Sequence, residues 1–105
     1  MKKPWIDPKT LHRAANTLRV IAHPDRLRII EKLKVRKCSV GELVVALGLP
    51  QAVVSKHLAL LKNAGLLSSE ADANFRHYSL TNTHVLDVLN CIKKSCPNTY
   101  QFQHR

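Results

Sequence analysis

The sequence predicts a mainly α-helical domain with one small β-hairpin, in the order α-α-α-α-β-β-α. Three observations carry that prediction. Helix-start residues punctuate the first half of the chain: Asp7-Pro8, His23-Pro24, Ser39 with Glu42, and Pro50. Apolar residues recur at helical spacing in five stretches. Between the fourth and fifth of these, two short β-type runs flank Ala71-Asp72-Ala73-Asn74, which reads as a turn.

Each element has a local reason. Asp7 can cap and Pro8 pre-sets the first turn of helix one, about 8–22, with Leu11, Ala14, Ala15, Leu18, Ile21 and Ala22 on its stripe. Pro24 restarts the chain for helix two, along which Leu27, Ile30 and Leu33 recur and Lys34 closes with a favourable charge. Ser39-Val40-Gly41-Glu42 fits a capping box for a short helix three containing Leu43, Val44 and Leu47. Gly48 ends it, and Pro50 opens helix four with Val54, Leu58 and Leu61 inward. Gly65 can supply a left-handed cap. Residues 66–70 and 75–80 are the strands, and helix five runs about 81–95 on Val85, Val88, Leu89, Ile92 and Cys96 until Pro97 stops it. The polar tail 97–105 reads as flexible. Helices three and four, joined by Gly48-Leu49-Pro50, have the spacing of a helix-turn-helix over about 40–63. A hairpin directly after it, about 66–80, makes a winged helix-turn-helix.

Length and charge narrow the function. The 105 residues make one domain, and 45% hydrophobic content suffices for a core. No apolar run approaches the ~20 residues of a membrane span, and Pro4, Asp7 and Pro8 interrupt any signal-like segment, so a cytoplasmic protein with no membrane association is expected. The net charge of +10 points to a polyanion. It is concentrated in residues 1–37, where eleven Lys/Arg face three acids. The five aromatics (Trp5, Phe75, Tyr78, Tyr100, Phe102) leave residues 6–74 without one. That argues against a base-stacking platform for single strands and for duplex DNA.

Several motifs in order resemble the ArsR/SmtB family of bacterial winged-helix transcriptional repressors. They are His23-Pro24-Asp25-Arg26-Leu27-Arg28-Ile29-Ile30, Ser39-Val40-Gly41-Glu42-Leu43, Gln51-Ala52-Val53-Val54-Ser55-Lys56-His57-Leu58, and Gly65-Leu66-Leu67 with Tyr78-Ser79-Leu80. The resemblance spans about residues 10–96. It implies a homodimer through helices one and five, helix four in the major groove of operator DNA, and an effector that weakens DNA binding. The residues agree with the DNA-binding part. With Val54, Leu58 and Leu61 inward, Gln51, Val53, Ser55 and Lys56 fall outward, types that can pair with adenine, touch a thymine methyl or reach phosphate. Lys62 is expected on phosphate. Arg76, the one basic wing residue, is a further DNA-binding candidate, set against a strand face shared with Tyr78 and Leu80 that would lead its stem inward. Glu70 and Asp72 make the wing acidic. His57, beside the buried stripe, is expected to pack or to bond a backbone group. A proline also stands where the family often caps helix four with Ser or Thr.

The effector reading rests on Cys38, Cys91 and Cys96. A reducing compartment argues against a structural disulfide, and no C-x-x-C occurs. The resemblance brings two zinc-ligand patterns. Near helix three only Cys38 is present, and of the helix-five positions Asn82, His84, Ser95 and Asn98 only His84 fits, so no zinc site of the family type is expected. The thiol- and persulfide-sensing subgroup typified by the BigR and SqrR repressors uses one cysteine on helix two and one late in helix five. Cys96 falls near the second, Glu31 occupies the first, and Cys38 would have to substitute. Arsenite, which takes three thiolates, is another ligand to weigh. Arg36, Lys37 and the following helix start are expected to lower the Cys38 pKa. The opposing reading is that these cysteines are small packing residues. The function expected is therefore a non-enzymatic, homodimeric DNA-binding repressor released by a cysteine-directed effector, with no obligatory cofactor. The alternatives are a winged-helix regulator acting through protein partners and a thiol-redox or metal-handling protein.

Overall fold

Helix starts set the architecture. In the computed structural model, which describes residues 5–81 and 83–95, Asp7 Oδ1 accepts the Thr10 N–H at 2.7 Å and launches α1, Pro8–Ile21. His23 does the same for α2, Pro24–Val35, its ring Nδ1 accepting the Asp25 N–H at 3.1 Å. α3 spans Val40–Leu47, α4 Gln51–Asn63 and α5 His84–Ser95. The left-handed Gly48, at φ 69°, stops α3 by returning its N–H to the Val44 carbonyl at 2.9 Å.

The hairpin of β2, Leu67–Asp72, and β3, Phe75–Leu80, carries a third strand absent from the sequence-based reading. β1, only Cys38–Ser39, pairs antiparallel with β3 (Cys38 opposite Tyr78, Ser39 opposite His77), giving the order β1-β3-β2. β2 also runs two residues further than its pattern suggested, which shortens the turn to Ala73-Asn74. The element order otherwise matches the expected winged helix-turn-helix.

The core lies where α2, α3, α4 and the base of the sheet meet. Ile29, Ile30, Leu43, Val54, Leu58 and Leu61 are completely buried. The outer helices contribute little to it: among the described residues, α1 buries only Ile21 and α5 only Val85. Leu11 and Leu18 of α1 stay about half exposed (50% and 52%), as do Val88 and Ile92 of α5 (40% and 48%). The helical stripes read from the sequence are therefore present, and among the described residues these four side chains stay only partly covered. Among the described residues, no single helix is long and apolar enough to cross a membrane.

Ala73 adopts φ +56°, in the left-handed region where a Cβ is disfavoured. Ala73→Gly should therefore stabilise the fold by about 0.5–1 kcal/mol, read as a higher urea midpoint with an unchanged m-value.

Candidate nucleic-acid interface

The chain turns by 115° between α3 and α4, and this corner decides which side of α4 is presented. Both sides of the corner are fixed. Ser39 Oγ accepts the Glu42 N–H at 3.2 Å, and Glu42 Oε1 accepts the Ser39 N–H at 2.8 Å, so the predicted capping box is formed. The same carboxylate pairs with Arg36 at 3.0 Å, and the Ser39 bond above all holds its pKa below the usual glutamate value. At the other side Leu49 tucks against the core and Pro50 is the N-cap of α4. Its carbonyl accepts the N–H groups of Val53 and Val54, both at 3.1 Å. No side chain caps the first turn, as the proline in place of Ser or Thr foreshadows.

α4 buries Val54, His57, Leu58 and Leu61 and exposes Gln51, Val53, Ser55, Lys56 and Lys62. Gln51, Ser55 and Lys62 line one edge of the exposed face, and Lys56 and Val53 lie towards the other. The face carries two amide and hydroxyl side chains, one apolar contact residue and two cations, with no acid. Polar groups of these types can form hydrogen bonds with base edges in a major groove, while the lysines can neutralise phosphate.

The wing is different. Arg76 does not lead inward; it is exposed, and its Nη1 donates to Ser69 Oγ across the hairpin at 3.1 Å. The reason is reach: β1 pairs only with residues 77 and 78 of β3, so the outer half of the hairpin stands clear of the core. Tyr78 and Leu80, on the same strand face, are the residues that pack. Glu70 meets Lys37 Nζ at 3.4 Å, and Phe75 at the tip is 64% exposed.

His57 is buried as expected, but its bond is to a side chain. Its Nδ1 accepts from Arg26 Nε at 3.1 Å, and its ring lies 4.6 Å from that of His23. Arg26 Nη1 also donates to the Val20 carbonyl at 2.9 Å, near the end of α1. Two residues on, Arg28 pairs with Asp25 at 3.0 Å and donates Nη2 to the Leu47 carbonyl at 3.2 Å, at the end of α3. The first two turns of α2 thus hold the ends of α1 and α3 and the middle of α4. The pairing of Arg26 with His57 across 31 residues has no local signal; only the N-cap position of His23 and the inward angle of His57 are readable beforehand. His23, Asp25 and His57 are close enough to hold a metal, their ligand atoms lying within 4.8 Å of one another. The hydrogen bonds oppose it. Both Nδ1 lone pairs already accept N–H bonds, so each neutral ring carries its proton on Nε2, and the neighbouring Arg26 is a cation.

The cysteines separate. Cys38 is buried and its pKa is raised, not lowered, because burial outweighs the nearby Arg36 and Lys32 charges. Pairing of β1 with Tyr78 is what buries it, and its Sγ donates to the Arg36 carbonyl at 3.5 Å. Cys38 lines a small cavity of about 300 Å³ with Val35, Glu42 and Leu43. Glu31 lines a different groove, of about 550 Å³, between α2 and α5. Cys91 is exposed on α5, and Cys96 lies outside the described residues, as do Asn82 and Asn98. His84, on the first turn of α5, lies 3.6 Å from Asp87.

Comparison with known proteins bears on this arrangement. Residues 23–69 match the family model described as "Bacterial regulatory protein, arsR family". The HTH-type transcriptional regulator NmtR of Mycobacterium tuberculosis is 34% identical over 85 residues, covering 81% of this chain and 71% of that protein. HlyU from Vibrio cholerae superposes with a TM-score of 0.76 at 31% identity, covering 85% of this chain and 97% of that one. The transcriptional repressor BigR from Xylella fastidiosa superposes with a TM-score of 0.76 at 27% identity, covering 86% and 93%.

Because Ser39 closes the cap that positions α3 within this corner, Ser39→Ala should destabilise the fold by about 1 kcal/mol, measured by chemical denaturation.

Proposed function

From the premise that the chain belongs to the arsR family of bacterial regulatory proteins, we propose that it is a homodimeric transcriptional repressor reading duplex operator DNA with α4. The family is one of helix-turn-helix transcription regulators and not of enzymes. One observation carries the reading: the corner after α3 presents Gln51, Val53, Ser55 and Lys56 together, on a helix anchored from behind by Val54, Leu58 and Leu61. Gln51 pairs with an adenine edge, Ser55 and Lys56 reach bases or phosphate, and Val53 meets a thymine methyl. Lys62 and cations of the first two helices hold the backbone. Arg76 contributes through its charge at the wing, between Glu70 and Asp72, so its share is small.

The half-exposed stripes of α1 and α5 support the dimer, since covering Leu11, Leu18, Val88 and Ile92 needs a second apolar surface. Two subunits present two copies of α4 to successive half-sites, and their separation sets affinity.

The effector is a thiol-directed species, a reactive sulfur compound, an oxidant or arsenite, that meets Cys91 first, because Cys91 is exposed and Cys38 is buried. Cys96, five residues on, is the nearest second thiol in sequence. On a helix the two thiols would stand about 140° apart, so a cross-link between them, made by unwinding the last turn or across the dimer, would shift α5 within the dimer and change the spacing of the two α4 helices.

Replacing Gln51 by Ala should cost about 1–3 kcal/mol on the selected operator and relax preference at one base pair. An operator affinity equal to that of the parent would remove Gln51 from the reading face. In a DNA-release assay, arsenite, persulfide, peroxide and zinc should be titrated separately. Release by at least one thiophile is expected, lost in Cys91→Ser and kept in Cys38→Ser. Release by none of them would leave a repressor without thiol sensing.

A further inference from the structure

The His57–Arg26 bond has the makings of a control on DNA binding, because His57 sits in the reading helix itself, next to Lys56. Its Nδ1 can accept from Arg26 Nε only while the ring is neutral. A proton on Nδ1 would set N–H against N–H and place a second positive charge beside the guanidinium. Arg26 would keep its bond to the Val20 carbonyl, so the separation falls on α4. We infer that neutral His57, held by Arg26 and packed at a tilt against His23, is a pH-sensitive joint that positions α4, and that charging it releases the helix from its DNA-reading position. This rests on the proposed operator binding and adds its regulation.

The surroundings favour the neutral ring. Burial and the neighbouring His23, Arg26 and Lys56 all push the His57 pKa below the ordinary histidine value, and only Asp25 pulls the other way. Asp25 is itself occupied with Arg28. These groups come from each element that meets the ring: the turn before α2, α2 itself and α4. His57 therefore binds its proton more weakly in the closed joint than when released. The closed form is fully favoured above about pH 6.5 and is lost as the pH falls below it.

The direction is diagnostic. Acidification adds positive charge to the protein as a whole, which strengthens attraction to any duplex. A joint that opens on charging predicts the reverse for the specific site alone. An operator should first be selected from a random duplex library with the wild-type protein at pH 7.5. Its affinity should then fall several-fold by pH 5.0, while affinity for an unrelated duplex rises. His57→Asn places an amide oxygen near the Nδ1 position and cannot charge; it should bind at pH 7.5 and keep that affinity at pH 5.0. His23→Asn keeps a capping acceptor for Asp25 and should reduce the acid loss without abolishing it.

An acid loss in His57→Asn equal to that of wild type would overturn the inference, as would wild-type operator affinity that rises with the unrelated duplex. Selection that enriches no sequence would defeat the DNA reading, not the joint. In that case, and if His57→Asn fails to fold, an NMR titration of the free wild-type protein decides. The His57 Cε1–H shift and the amide shifts along α4 should move together below pH 6.5. His57 titrating with α4 amides unmoved would overturn the joint.

Discussion

The Arg26 guanidinium joins three helices by hydrogen bonds. It reaches back to the Val20 carbonyl at the end of α1, stays anchored in the first turn of α2, and holds His57 of α4. Arg28 adds the end of α3 from the next exposed position on the same helix. Each of these acceptors sits at or beside a helix end or in a buried face, where water would have to be displaced for any alternative bond. The corner between α3 and α4 is thus oriented by α2 as well as by its own glycine and proline. Removing either arginine would leave carbonyl or imidazole acceptors part-buried without a partner, which costs more than the bond itself is worth.

Of the eleven basic residues in positions 1–37, Arg26 and Arg28 tie helices together, and Arg36 and Lys37 pair with Glu42 and Glu70. Lys9, Arg13, Arg19, Lys32 and Lys34 are exposed. The cations of α4, by contrast, are only Lys56 and Lys62. In the proposed operator complex, general attraction to DNA and choice of sequence would therefore reside in different parts of the chain. The first would be an ionic-strength-dependent field from α1 and α2, and the second a short polar edge whose orientation α2 governs.

How much of this was legible depended on range. Helix limits could be read because their signals are local: Asp7-Pro8, His23-Pro24, the Ser39–Glu42 box and Gly48 each act within four residues. The outward face of α4 followed from the period of Val54, Leu58 and Leu61. β1 was hidden because two residues cannot carry a strand pattern, and Ser39 in it already reads as a helix cap. That omission propagated to Cys38. Its charged neighbours argue for a reactive thiolate, and only pairing with Tyr78, forty residues on, shows the thiol to be buried. Arg76 was misplaced for a related reason. Alternation shows which face a strand residue takes but not how far along the strand the core extends.

The bare stripes of α1 and α5 have a consequence for the cell's accounting of this protein. In the proposed dimer their burial is the part of the folding free energy that depends on meeting another copy, so stability rises with concentration. A newly made chain at low abundance is then both a weaker binder and a less durable molecule, more open to proteolysis. Above the assembly threshold each subunit protects its partner. Such a chain would hold its own numbers between a floor set by degradation of single copies and a ceiling set by synthesis.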